Sequence, residues 1–236
     1  MRLLSRLMGR KPDAVVSFPK SGRTWLRVML DELAVELHYT HAGAGHSEAR
    51  HFSELDLSQA DDFGRIVLLH RDPRDTVVSG YYQVDRRKGG YPGTISEFIR
   101  DPRHGIEKIV RYNAMWQALA AQRGSMLVLA YEDLRADPHA GLSRVLGFLN
   151  QPADQSAVAE TIGNNTFERM QARERAGHYQ KQYGGALAPR NLADPDSFKV
   201  RRGMVGGFRN ELTAEDIAYC DQVMADWVGA PTNAPG

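Results

Sequence analysis

Three short segments collect lysine, arginine, hydroxyl and glycine residues in patterns able to hold an anion. The first is Ser17-Phe18-Pro19-Lys20-Ser21-Gly22-Arg23-Thr24-Trp25. A β-rich run precedes it and an amphipathic stretch follows. In that context backbone N–H groups and a helix dipole converge on negative charge. Gly22 lets the backbone come close, and Lys20 can neutralise a bridging oxygen. The pattern G-x-x-x-x-G-K-[ST] is absent, the lysine precedes the glycine, and no strand ends in an acid suited to magnesium. These features disfavour a nucleoside triphosphatase. An ordinary strand-turn-helix joint is the competing reading of the glycine.

The second segment is Arg71-Asp72-Pro73-Arg74-Asp75-Thr76-Val77-Val78-Ser79-Gly80-Tyr81-Tyr82. A strand delivers Arg71 to its C-terminal end, where ligands of open α/β sheets collect. Ser79 then lies about two turns into the following helix. Arginine and hydroxyl together suit a phosphate; the competing reading pairs Arg71 and Arg74 with Asp72 and Asp75. In the third segment Arg201 and Arg202 are followed by Gly203, Gly206 and Gly207, a candidate phosphate nest. Taken alone it reads as a solvated basic loop.

The elements that must position these segments follow from the apolar periodicity. Ala14 to Phe18, Arg65 to His70 and Met126 to Tyr131 read as buried strands, with Leu37 to His41 as a further short one. Leu26, Met29, Leu30, Leu33 and Leu37 predict a helix over Thr24 to Leu37. Asp75 to Gln83 reads as a helix with Asp75 as N-cap. Helices are also expected within 94–123 and around 139–150, 154–162 and 214–228. Alternating short strands and helices predict an α/β fold, a P-loop-like three-layer α/β/α arrangement around a mainly parallel sheet. The periodicity fades over 171–200, which predicts a mobile lid within a single domain spanning 1–236.

Composition bounds the partners. The chain has 236 residues, 42% hydrophobic and 25% charged, with 30 basic against 29 acidic side chains. That is a globular composition, and its near-zero net charge argues against a duplex nucleic-acid binder. Charge is nevertheless uneven: residues 169–203 hold eight Lys/Arg against three acids, which favours a small anionic ligand over a long polyanion. The single cysteine, Cys220, points to a reducing compartment and a cytoplasmic location. No apolar run is long enough to span a bilayer. The N-terminus, MRLLSRLMGRK, is a basic extension over 1–11. It reads either as a frayed or packed turn or as a short amphipathic helix making weak contact with anionic lipid.

Together the three segments resemble the sulfotransferase family that uses 3′-phosphoadenosine 5′-phosphosulfate (PAPS). FPKSGRTW is similar to that family's phosphosulfate loop PKSGTTW, RDPRDTVVSGYY to its 3′-phosphate motif, and RRGMVGGFRNELT to its RKGxxGDWKxxFT segment. Order and separation also agree over roughly residues 12–228. The resemblance implies that Lys20 contacts the bridging oxygen and sulfuryl group. It implies that Ser21, Gly22, Arg23 and Thr24 belong to the loop holding the 5′-phosphate. Arg71, Ser79, Arg201, Arg202 and Gly203 would grip the 3′-phosphate. Trp25, Tyr131 (in Tyr131-Glu132-Asp133-Leu134) and Phe167 would border the adenine. Arg23 departs from the family pattern by replacing a threonine, which adds a charge beside the sulfuryl group. Gly207-Phe208 stands where the family has Asp-Trp, and the family's C-terminal dimerisation segment is not recognisable, leaving the oligomeric state open.

The resemblance implies sulfuryl transfer to a hydroxyl or amine of a small-molecule acceptor, leaving adenosine 3′,5′-bisphosphate (PAP). Such a transfer needs a base for the acceptor proton. Family members place a histidine after the first helix, and Tyr39-Thr40-His41-Ala42 makes His41 the match. His46 and His51 in the following loop are rivals. No carboxylate or cysteine completes a ligand set with His41 and His46, so no metal is expected. Tyr81, Tyr82, Tyr91, His178, Tyr179 and Tyr183 are candidate linings of the acceptor pocket. Two other functions compete: an ATP-dependent kinase of the same fold, and a non-catalytic nucleotide-binding module.

Overall fold

The computed structural model describes residues 11–45, 50–87, 89–151, 153–179, 183–184 and 190–228. Four strands form within them: β1 (Ala14–Val16), β2 (His38–Thr40), β3 (Ile66–His70) and β4 (Met126–Ala130). All pairings are parallel, in the order β2-β1-β3-β4. Ala14, Val15, Val16 and Ile66 to Leu69 are fully buried, as parallel strands covered on both faces must be. The strand order reverses between β1 and β3. Their C-terminal ends therefore frame the crevice in which open α/β sheets bind ligands.

Helices cover both faces, giving the expected P-loop-like three-layer arrangement. On one face Val15, Val67 and Leu69 pack against α1 (Arg23–Glu32) and α6 (Pro138–Phe148), through Leu26, Met29, Leu30, Leu142 and Val145. On the other, Val16, Ile66 and Leu68 meet α3 (Ile95–Arg100), α4 (Ile106–Gln122) and α9 (Ala214–Val228). Full burial of each such aliphatic side chain contributes about 1.5–3 kcal/mol. The remaining helices are α2 (Pro73–Tyr82), α5 (Tyr131–Ala136), α7 (Gln155–Asn164) and α8 (Phe167–Arg175). Among the described residues no helix is long and apolar enough to cross a membrane. Residues 1–10 of the basic extension lie outside the described residues.

Four sequence expectations are corrected. Helix α1 stops at Glu32 rather than Leu37. Ala34 takes φ 56 there, and the amides of Val35 and Ala34 bond back to Leu30 and Asp31 at 2.9 and 3.1 Å, a Schellman ending. The N-cap of α2 is Asp72, whose side chain accepts from the Arg74 amide at 2.8 Å with Pro73 in the first turn. Asp75 is freed for another task. Tyr131 opens α5 instead of closing β4. Helix α8 runs to Arg175, so residues 171–175 are not loop. Its Glu174 is buried and accepts from the Lys199 and Val200 amides, at 2.5 and 2.9 Å.

Candidate functional site

The turn between β1 and α1 is held in an unusual backbone conformation. Lys20 has φ 73 and Gly22 has φ 89; the left-handed region costs a non-glycine residue about 1–3 kcal/mol. A Cβ on Gly22 would lie 2.3 Å from the Tyr131 ring, so only glycine lets that ring close over the turn. The turn delivers the first amides of α1, which lack intrahelical acceptors, to the mouth of a cleft at the C-terminal ends of β1 and β3. Lys20 donates from Nζ to Gln83 Oε1 at 3.3 Å. Gln83 begins a π-type turn, Gln83–Arg87, that continues α2.

Arg71, on the residue after β3, ties the turn to the glycine-rich third segment. It donates to the Met204 carbonyl at 2.8 Å and to the Lys20 carbonyl at 3.5 Å, and its guanidinium lies 4.6 Å from the Tyr131 ring centre. Asp75 pairs with it at 3.5 Å. Asp75 is only 4% exposed and also accepts from the amides of Gly206 and Phe208, at 2.8 and 3.0 Å. Both pairings of the competing reading therefore form. Arg74 does bond Asp72, at 2.7 Å, while Arg71 remains on the cleft wall.

Aromatic rings and the third segment complete that wall. Trp25 donates to the Asn165 carbonyl at 2.9 Å and meets Tyr131 edge-on, 6.1 Å between centres. Phe167 lies under Gly203, whose Cβ would come within 2.7 Å of the ring. Tyr131 donates to the Gly203 carbonyl at 3.3 Å, and burial raises its phenol above the usual range. Arg201 stacks on Tyr82 at 4.0 Å and pairs with Glu211 at 3.1 Å; Arg202 pairs with Glu211 at 2.5 Å. Both arginines nonetheless line the cleft.

His41 sits just past β2, inside the cleft. Its Nδ1 is 2.7 Å from the Ser17 carbonyl, which can only accept, so Nδ1 carries the proton. Nε2 then holds the lone pair and accepts from Arg23 at 2.9 Å. Arg23 is therefore fastened to the candidate base. Burial lowers its guanidinium to about 10, leaving it charged at neutral pH, and its Nη1 is buried without a hydrogen-bond partner. Of the rival histidines, His51 bonds Ser53 at the start of a single turn, and His46 lies outside the described residues. Among the described residues no cluster of three metal-ligating side chains occurs.

The cleft gathers every site residue expected from the sequence except Ser21, which is 1% exposed and lies beneath the turn. Asp75 and Arg135 were missed. Arg135 follows Tyr131 by one helical turn on α5 and lies 5.6 Å from the Trp25 ring, a spacing visible in the sequence. None of the tyrosines expected around an acceptor lines this cleft. Tyr81, Tyr82 and Tyr91 pack in an aromatic group near Phe98. Tyr183 donates to Asp31 at 2.7 Å, and Tyr179 is buried against Val28 and Met170. Lys20 instead borders a second, smaller cavity together with Thr76, Phe98, Arg103 and Lys108.

The family model for the sulfotransferase domain matches residues 51–231, which leaves the Lys20 turn and His41 outside the match. Human Sulfotransferase 2B1 is 28% identical over 178 residues, covering 71% of this chain and 46% of that protein. The chain thus spans about half the length of the first curated relatives it matches. The 3-beta-hydroxysteroid sulfotransferase of Cavia porcellus is 21% identical, covering 88% of this chain and 80% of that one. In structure the chain is similar to mouse sulfotransferase SULT7A1 complexed with PAP, with TM-score 0.69, 17% identity and coverage of 98% and 91% of the two chains. It is also similar to retinol dehydratase in a complex with retinol and PAP, with TM-score 0.69, 16% identity and coverage of 96% and 84%. At these identities the structures speak for the fold.

Proposed function

This chain belongs to the sulfotransferase domain family, and from that premise we propose that it is a PAPS-dependent sulfotransferase acting on a hydroxyl or amine of a small molecule. The observation that carries the proposal is the convergence of Lys20, Arg71, Arg201 and Arg202 around one cleft bordered by Trp25, Tyr131 and Phe167. Cations for two phosphates and ring faces for a base lie within the same walls. Gly22 and Gly203 leave the space in which Tyr131 and Phe167 sit, so the cradle fits a nucleotide that is flat at one end and doubly anionic at the other. The reading takes 1–236 as one domain and places it in the cytoplasm, on the single buried Cys220.

PAPS supplies a sulfuryl group whose leaving group is the 5′-phosphate of PAP. Arg71, with Ser79, Arg201, Arg202 and Gly203, holds the 3′-phosphate, and the Lys20–Thr24 turn holds the 5′-phosphate. His41 Nε2 takes the acceptor proton as the acceptor atom bonds to sulfur. Lys20 faces the bridging oxygen, which keeps the electron pair of the breaking bond. Ser17 fixes the tautomer through its carbonyl. Arg23 holds Nε2 in the form described, so the acceptor must replace one of its N–H groups there.

The experiment is a thermal-shift comparison of PAP with ATP and AMP. Selective stabilisation by PAP is expected, followed by sulfuryl transfer in an acceptor screen. Equal response to all three, or preference for ATP with magnesium-dependent turnover, overturns the assignment.

A further inference from the structure

The second cavity adjoins the donor cleft at Lys20 and has a charge character of its own. Lys108, on α4, is 2% exposed. It donates to the carbonyls of Arg50 and Arg103, at 2.6 and 3.1 Å, and neither partner carries negative charge. An ammonium has three N–H donors, so one remains. Arg103 is exposed, and its guanidinium makes no ion pair among the described residues. His104 also borders the cavity, but Asp101 engages it at 3.2 Å. Asp101 in turn accepts from Tyr91 and from the Arg103 amide. Among the described residues no aspartate or glutamate lines the cavity; Glu54 and Asp101 act on Lys108 only from a distance.

The rest of the wall is apolar, with Phe98 prominent, except at Lys20, Thr76 and Gln83. Thr76 is 1% exposed, and its hydroxyl is buried with no hydrogen-bond partner among the described residues. A buried ammonium facing neutral carbonyls is costly unless an anion meets it. This is an apolar chamber with cations and an idle hydroxyl on its walls, continuous with the lysine of the transfer site.

We propose that this cavity receives the acceptor, and that the acceptor is a hydroxy acid whose carboxylate is held by Lys108 and Arg103 while its hydroxyl is presented to Lys20. The proposal rests on the sulfotransferase reading and names its substrate class. Burial lowers Lys108 to about 8, so affinity for the acid falls as pH rises through that value, when the ammonium loses its charge.

The test uses PAP-saturated protein and calorimetric titration with hydroxyaryl and ω-hydroxy carboxylates, each beside its neutral primary amide. At pH 7 at least one acid is expected to bind about tenfold or more tightly than its amide, the scale of a charge-assisted contact. Lys108→Met and Arg103→Ala should each cut that preference to within about threefold, with PAP stabilisation retained. Should Lys108→Met fail to fold, Arg103→Ala at the exposed site carries the test. Acids that bind no better than their amides, including no binding by either, overturn the proposal. So does a preference that survives both substitutions. Failure of PAP to stabilise the wild-type chain would instead overturn the sulfotransferase reading.

Discussion

The two chambers that meet at Lys20 are specified in opposite ways. The proposed nucleotide cleft takes its shape from side chains that are missing: Gly22 leaves room for Tyr131, and Gly203 for Phe167. The adjoining cavity takes its character from long side chains, Lys108 and Arg103, that enter from α4 and the loop before it. A missing side chain works only if the backbone is held, which is why Asp75 and Arg71 tether the loops around the cleft. A long side chain can be exchanged while the backbone stays. The proposed donor side is therefore rigid in its chemistry, and the proposed acceptor side is tunable.

The sharpest way to break this contrast is at the shared residue and the proposed base. Lys20→Ala and His41→Ala should each lower turnover by about a thousandfold while the thermal midpoint stays near that of the wild type. Wild-type-like turnover in either variant would remove that residue from the transfer. Next, Asp75→Asn should cost about 1.5–3 kcal/mol in urea unfolding, since a charged acceptor of two buried amides is lost. An unchanged midpoint would mean that the glycine-rich loop is held by other contacts. Gly203→Ala places a Cβ 2.7 Å from Phe167 at φ 60. It should weaken PAP binding about tenfold, an effect of about 1.4 kcal/mol, with no matching loss for Lys108→Met.

A further effect concerns pH. Burial lowers Lys108 from 10.5 to about 8. Between those values the unfolded chain holds a proton that the folded chain has shed. Folding stability therefore gains with rising pH across that window and is penalised below it. Measured against Lys108→Met, which removes every other titration from the difference, the wild type should gain stability from pH 8 upward. A flat difference would show Lys108 to be solvated, and the adjoining chamber less buried than its walls indicate.

The same contrast explains what could be read in advance. Glycines, arginines and rings at fixed offsets between a strand and a helix are legible, because backbone geometry demands them. Asp75 was misread because Asp72 and Asp75 both precede an apolar run. The deciding clue was Pro73, which favours the first helical position and so marks Asp72 as the cap. The end of α1 was misread because the apolar spacing continues to Leu37, while Ala34 turns left-handed without glycine. Lys108 stood unremarked within the expected helical run 94–123, where nothing local shows that its ammonium is buried. The tyrosines expected around an acceptor line neither chamber directly, and Tyr81 and Tyr91 pack on Phe98 in the wall of the second.

Asp75 also sets a timetable for the chain. Its two amide partners lie 131 and 133 residues further along, so during synthesis most of the sheet can form before they emerge. Until Gly206 and Phe208 arrive, that carboxylate has no amides to meet, and the cleft lacks its far wall. The proposed nucleotide site would therefore be completed only after Gly206 and Phe208 have been made. A chain cut before Gly206 would keep Lys20, His41 and Arg71 and still have no closed site.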